Sequence, residues 1–254
     1  MNFYAQTKLL WAELIQRLKS YIAPDSLWNM NVRKGTQAEF AAKIRHALEV
    51  EIKNHKGDKI MTRRIVKPNN CALAFAIPLD EKSFEQNRKV PDREYIRMKF
   101  KDDWNGYYIK VARIYENFKT NFQQLGVNVF YNVTFDCFKG LLEREEFDVI
   151  IPFAHFNNKE SELHKPGMEF FDGFATIPEI VDAVPYDFTG ILDLDVCNSE
   201  PLVVKLKEKN LKYLIKSGYG EATPVVWMGF YLMLFRYLYD NNATYIEALE
   251  ETSF

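Results

Sequence analysis

A histidine and a cysteine each close an apolar run that has the length of a buried strand. His155 ends residues 147–155, and Cys197 ends residues 188–197. A cysteine nucleophile needs a group that takes its proton, and an imidazole beside the sulfur does this and stabilises the thiolate. Because parallel strands of an open α/β sheet end at one edge, residues far apart in sequence can meet there. The pattern predicts that His155 and Cys197 form an active-site pair at such an edge.

Each member of this pair also has a purely structural alternative. Cysteine is among the most buried residue types, and a histidine at a strand end often only satisfies nearby polar groups. The joint arrangement favours catalysis, because both residues end successive predicted strands and polar or glycine-containing loops follow them.

The elements that must position the pair follow from the spacing of apolar residues. Runs typical of strands occupy residues 71–77, 127–134, 147–155, 188–196 and 211–216, and helical patterns occupy 104–125, 135–146, 225–239, 243–251 and a segment that begins at Thr176. Residues 80–103 are polar and are predicted to be a loop or excursion, whose conformation the sequence does not specify. This alternation predicts a mostly parallel sheet with helices on both faces. Helical patterns at 4–22 and from Thr36 predict an N-terminal helical extension, residues 1–66, before a main domain of residues 67–254.

Composition limits the function classes. A chain of 254 residues that is 47% hydrophobic can bury a large core. Its 33 basic and 35 acidic side chains give a net charge of −2, so we expect neither nucleic acid nor a membrane as a partner. The N-terminus lacks the pattern of a signal peptide, and residues 225–239 are shorter than the roughly 20 residues of a membrane span. A cytoplasmic location is predicted.

Cofactor and metal sites are not predicted. Three cysteines without a CxxC spacing indicate neither a disulfide framework nor a zinc site, and we expect Cys71 and Cys137 to be inert core residues. His164 lies nine residues after His155, but a third metal ligand of matching pattern is missing. The sequence also lacks the glycine-rich motifs of dinucleotide and P-loop binding.

The order of local patterns around the pair resembles that of the caspase-like cysteine peptidases of clan CD and, within them, the CHAT domains. His155 is followed by the Phe-Phe-Asp-Gly stretch at 170–173, the Thr-led helix start at 176–180 and the strand that ends at Cys197. The similarity runs from about residue 71 to residue 250 and includes the apolar segments at 224–227 and 230–235. It implies a three-layer α/β/α sandwich of the caspase-like type.

The resemblance implies a cysteine endopeptidase in which Cys197 attacks the peptide carbonyl and His155 serves as acid and base. The oxyanion would be held by the backbone N–H groups of Cys197 and Phe156. Family members usually carry glycine after the histidine, so Phe156 leaves a second interpretation open. In that alternative the chain is a catalytically inactive caspase-like module that acts through protein–protein interaction. Because the family generally works with a dyad, Asp193 receives no role.

Two acidic residues are candidates for substrate binding. In relatives that cleave after arginine or lysine, such as metacaspases and clostripain, an acidic residue two positions before the cysteine lies in the S1 pocket. Asp195 has this position, which implies selectivity for a basic P1 residue. Its alternative is a local hydrogen bond in a loop, and the alternative for Asp172 is a hairpin turn. The expected partners are a protein or peptide substrate and a regulatory protein, since relatives are often fused to sensor domains.

A third interpretation is a different α/β sandwich, such as a flavodoxin-like or TIR-like domain, in which His155 and Cys197 are incidental. A TIR-type hydrolase is expected to carry a catalytic glutamate at a helix start beside a nucleotide cleft, and no glutamate stands out in that role.

Overall fold

The computed structural model describes residues 64–90, 100–157, 166–194, 196, 199–209, 211, 214–215 and 224–252. The predicted helical extension of residues 1–66 lies outside this part of the chain, apart from its last three residues. His164, Asp195 and Cys197 also lie outside it.

The described residues form two sheets and a set of helices. The strands are β1 (Cys71–Phe75), β2 (Asn128–Tyr131), β3 (Val149–Phe153), β4 (His155–Asn157), β5 (Gly167–Phe170), β6 (Gly173–Thr176), β7 (Ile191–Asp193) and β8 (Leu214–Ile215). The helices are α1 (Glu81–Asn87), α2, α3 (Phe135–Leu142), α4 (Ile177–Ala183), α5 (Glu200–Glu208), α6 (Pro224–Asp240) and α7 (Tyr245–Thr252). Helix α2 runs through Trp104–Tyr107, the π-helical segment Tyr108–Ala112 and Arg113–Gln124. A 3₁₀ turn, Pro68–Asn70, precedes β1.

The larger sheet has five strands in the order β2-β1-β3-β7-β8, and every neighbouring pair is parallel. All residues of β1 and β3 are buried, which explains why these strands read as continuous apolar runs rather than as alternating ones. The five predicted strands are therefore confirmed, although each is shorter than its apolar run.

Helices cover both faces of the larger sheet. On one face, α2, α6 and α7 pack against alternate strand residues such as Leu73 and Ile151. On the other face, α3, α4 and α5 pack against Ala74, Ile150 and Leu192. The molecule thus has the predicted α/β architecture, with a parallel sheet between two helical layers. None of the helices in the described residues is long and apolar enough to cross a membrane.

Local capping signals explain where several helices begin. The side chain of Asp103 accepts a hydrogen bond from Gly106 N at the start of α2, and Thr176 with Glu179 forms the predicted capping box of α4. The prediction of a loop or excursion at residues 80–103 missed α1, at whose start Asp80 accepts a hydrogen bond from the Ser83 N–H. Gly126, with φ of 86°, ends the α2 region in the left-handed conformation that favours glycine.

The chain changes direction within the larger sheet between β1 and β3. The connection from β1 leads outward to β2 through α2, whereas the connection from β3 leads the other way to β7 through α4, on the opposite face. In open α/β sheets, ligands bind outside the carboxyl ends of the strands at this kind of switch point. His155 follows the carboxyl end of β3 and therefore lies at this position.

Candidate functional site

The end of β3 fixes the backbone before His155. Ala76 N donates to the Phe153 carbonyl at 2.9 Å, and the rings of Phe75 and Phe153 stack with their centroids 4.9 Å apart. After Ala154, the chain leaves the larger sheet. The prediction that His155 ends this strand is therefore wrong in detail, because β3 ends at Phe153 and His155 is the first residue of β4.

Strand β4 belongs to a three-stranded antiparallel sheet with the order β4-β5-β6. The hairpin of β5 and β6 corresponds to the hairpin turn that was the alternative interpretation of Asp172, whereas β4 was not predicted. Phe156 pairs with Met168, and both side chains are buried in the core beneath the second helical layer. Because side chains alternate along a strand, His155 projects from the other face of this small sheet.

The cross-strand partner of His155 is Glu169. The register joins His155 to Glu169 and Glu169 to Phe174, so these three residues form one row across the small sheet. Glu169 is only 3% exposed, and a carboxylate at such a position is usually paired with a charge or hydrogen-bonded. Directly opposed residues in an antiparallel pair have Cβ atoms roughly 5 Å apart, within reach of a long carboxylate and an imidazole.

The hydrogen-bonding pattern of the small sheet determines where the Phe156 N–H points. Ile177 N donates to the Pro166 carbonyl, so β5 directs Pro166 and the alternate residues after it toward β6. The backbone N–H and C=O of Glu169 therefore point to the opposite side, where they pair with the backbone of His155 in β4. Phe156 is consequently in a non-hydrogen-bonded pair, and its N–H points away from β5, on the side of β4 where the described residues add no further strand.

Asp172 lies in the two-residue turn between β5 and β6. It is exposed, and its Oδ1 accepts a hydrogen bond from Phe135 N at 3.1 Å, while Phe171 N donates to the Val133 carbonyl. These contacts connect the hairpin to the start of α3, which corresponds to the turn interpretation of this aspartate.

Asp193 has a role that sequence reasoning did not assign. It is fully buried at the end of β7, where its Oδ2 accepts hydrogen bonds from the hydroxyl groups of Tyr231 at 3.1 Å and Tyr245 at 2.6 Å. The carboxylate thereby joins β7 to both α6 and α7. The only signal in the sequence was an aspartate and two tyrosines within otherwise apolar segments.

The two cysteines within the described residues differ from each other. Cys71 is buried, and burial together with the charge of Asp148 raises the pKa of its thiol, so it stays protonated. Cys137 is exposed on α3, which makes the prediction of a core residue wrong there. Cys197 lies outside the described residues, as does Asp195.

The part of the chain that the structure describes contains no group of three histidine, cysteine or acidic side chains that could hold a metal ion. Comparison with known proteins found no matching family model, no matching curated protein and no matching solved structure.

Proposed function

We propose that this protein is a cysteine endopeptidase with a His155–Cys197 dyad, of the caspase-like, CHAT type. The observation that carries the proposal is the register of β3 and β7. Val149 pairs with Ile191 and Ile150 with Leu192, so paired residues are 42 positions apart in sequence. His155 and Cys197 are also 42 positions apart, and each follows the carboxyl end of one of these two neighbouring strands by a few residues. This spacing supports the expectation that the two residues meet at the carboxyl edge of the sheet.

Three further features support the same proposal. His155 follows β3 at the topological switch point, where ligands bind in open α/β sheets. The β5–β6 hairpin and the Thr-capped helix α4 separate His155 from β7, the next strand of the larger sheet, in the order that the resemblance implies. The Phe156 N–H points away from β5 and is not used in the β4–β5 ladder, so a phenylalanine in place of glycine is compatible with an oxyanion donor.

The proposed reaction is amide hydrolysis through an acyl-enzyme. The Cys197 thiol gives its proton to His155, and the thiolate forms a bond to the substrate carbonyl carbon. The Phe156 and Cys197 N–H groups stabilise the oxyanion, and the C–N bond breaks as imidazolium protonates the leaving amine. Water then attacks the thioester, gives its proton to His155 and releases the acid and the thiol. Asp195 selects a basic P1 side chain, and a regulatory protein controls access.

We expect the full chain to cleave peptides after arginine or lysine, and Cys197→Ala and His155→Ala each to lower kcat/KM at least a thousandfold. The measurement is cleavage of a peptide library with P1 varied, with folding checked by circular dichroism. Cys137→Ala, which removes an exposed cysteine, is the matched control and should cleave normally.

A peptidyl chloromethyl ketone with P1 arginine provides a second measurement that does not depend on turnover. It should modify Cys197 in the wild-type chain and fail to do so in His155→Ala. Equal cleavage by the wild type and both variants would refute the dyad. Neither cleavage nor labelling in the wild type would instead favour the inactive, partner-binding module.

A further inference from the structure

The acidic side chain opposite His155 carries an inference that rests on the proposed function and goes beyond a simple dyad. We propose that Glu169 is a positioning residue for His155: its carboxylate faces the imidazole across β4 and β5, fixes its tautomer and stabilises its protonated form.

The geometry supports this assignment at the level of the backbone. His155 and Glu169 form a hydrogen-bonded pair of the β4–β5 ladder, and their side chains project from the same face of the small sheet. The next pair along the ladder, Phe156 and Met168, packs into the core on the other face. A slip by one residue would turn the core-facing side chain of one strand to the other face, so this packing fixes the register. The opposition of His155 and Glu169 is therefore specified by the core.

Burial makes the carboxylate effective. Glu169 is 3% exposed, whereas most glutamates are solvated. A charge interaction is stronger away from water than at an exposed site, so a buried carboxylate near an imidazole stabilises imidazolium more than a surface glutamate does. Its own ionised state is in turn stabilised by the positive charge that forms on His155 when the thiol gives up its proton.

The other carboxylates of the surrounding elements have different partners. Asp172 in the β5–β6 turn accepts from Phe135 N, and Glu179 on α4 accepts from Thr176. Asp193 at the end of β7 accepts from two tyrosine hydroxyls. Among the acidic residues described on these elements, Glu169 alone is the strand partner of His155.

The assignment predicts a measurable change in the imidazole itself. In Glu169→Gln, the NMR titration midpoint of His155 should fall by about one pH unit, and its tautomer population should change. Glu169→Asp, which keeps the charge, should retain part of the effect. Only four histidines are present, and loss of one signal in His155→Gln assigns the resonance. Glu179→Gln is the matched control, because it removes a charge from the neighbouring helix cap while keeping the capping hydrogen bonds.

The outcomes separate this inference from the proposed function. An unchanged His155 midpoint and tautomer in folded Glu169→Gln would refute the positioning role, even if the wild type is an active peptidase. A lowered midpoint in a protein without peptidase activity would support the role and refute the proposed function.

In an active enzyme, Glu169→Gln should lower kcat about tenfold or more with KM nearly unchanged, and its pH profile should shift with the NMR midpoint. If Glu169→Gln does not fold, the titration of Glu169→Met decides, because methionine fills a similar volume without a carboxylate; a His155 midpoint equal to that of the wild type and of Glu179→Gln then refutes the role.

Discussion

Glu169 and Asp193 are buried carboxylates near the same edge of the larger sheet, and their surroundings give them different tasks. Asp193 accepts hydrogen bonds from Tyr231 and Tyr245 and so connects a strand to two helices. Glu169 is opposite a histidine that is partly exposed. A carboxylate that faces a titratable ring can influence chemistry, whereas one held by tyrosine hydroxyl groups mainly stabilises the fold.

At the residue scale, the proposed basic specificity makes a prediction about Asp195. Replacement by alanine should lower kcat/KM for peptides with P1 arginine by about a hundredfold or more, because a charge-assisted hydrogen bond is lost from the pocket. The rate at which iodoacetamide alkylates Cys197 should change little. Both rates are measured on the same preparation, with Asp187→Ala, an exposed aspartate before β7, as control. Equal losses of cleavage and alkylation would assign Asp195 a structural role instead.

At the scale of elements, the small antiparallel sheet determines how the proposed site is oriented. The Phe156 side chain anchors β4 to the core, and the ladder directs its N–H away from β5. Phe156, which stands where the family usually carries glycine, therefore holds the backbone of β4 in place. Asp172 and the Phe171 N–H connect the same sheet to the start of α3.

The capping box of α4 offers a prediction about stability and pH. Hydrogen bonds from the Thr176 hydroxyl and from its N–H lower the pKa of Glu179. A carboxylate with a lowered pKa in the folded state stabilises the fold above its unfolded pKa of about 4.3, and this contribution is lost as pH falls through the folded value. Glu179→Ala should therefore cost about 0.5 kcal/mol at pH 7, since the side chain is exposed, and less at pH 3.

Urea unfolding of the wild type and of Glu179→Ala at both pH values checks this expectation. Glu179→Gln is the control, because glutamine retains the capping hydrogen bonds without titrating. The ionised carboxylate would have no such role if the free energies of unfolding of the wild type and the alanine variant differed by the same amount at pH 3 as at pH 7.

At the scale of the whole molecule, periodicity predicted the parallel sheet and its two helical layers because both signals are local. The apolar runs of β1 and β3 and the Thr176 capping box can be read from a few neighbouring residues. The same logic predicted that His155 ends a strand, whereas β3 ends two residues earlier, at Phe153.

Features that depend on contacts between distant residues were not predictable in this way. Strand β4 has three residues and exists through its pairing with β5, so no run in the sequence marks it. The opposition of His155 and Glu169 and the contacts of Asp193 depend on register and helix packing. Cys137 lies in an apolar stretch, yet helical geometry turns it to the exposed side of α3.

The central claim is that His155 activates Cys197, and the pH dependence of Cys197 alkylation tests it most directly. Iodoacetamide rates are followed by peptide mass spectrometry, which separates Cys197 from the exposed Cys137 and the buried Cys71. In the wild type, Cys197 should react as a thiolate well below the ordinary thiol pKa of about 8.5, and in His155→Ala the midpoint should return toward that value. Identical profiles with ordinary midpoints in both proteins would contradict the dyad.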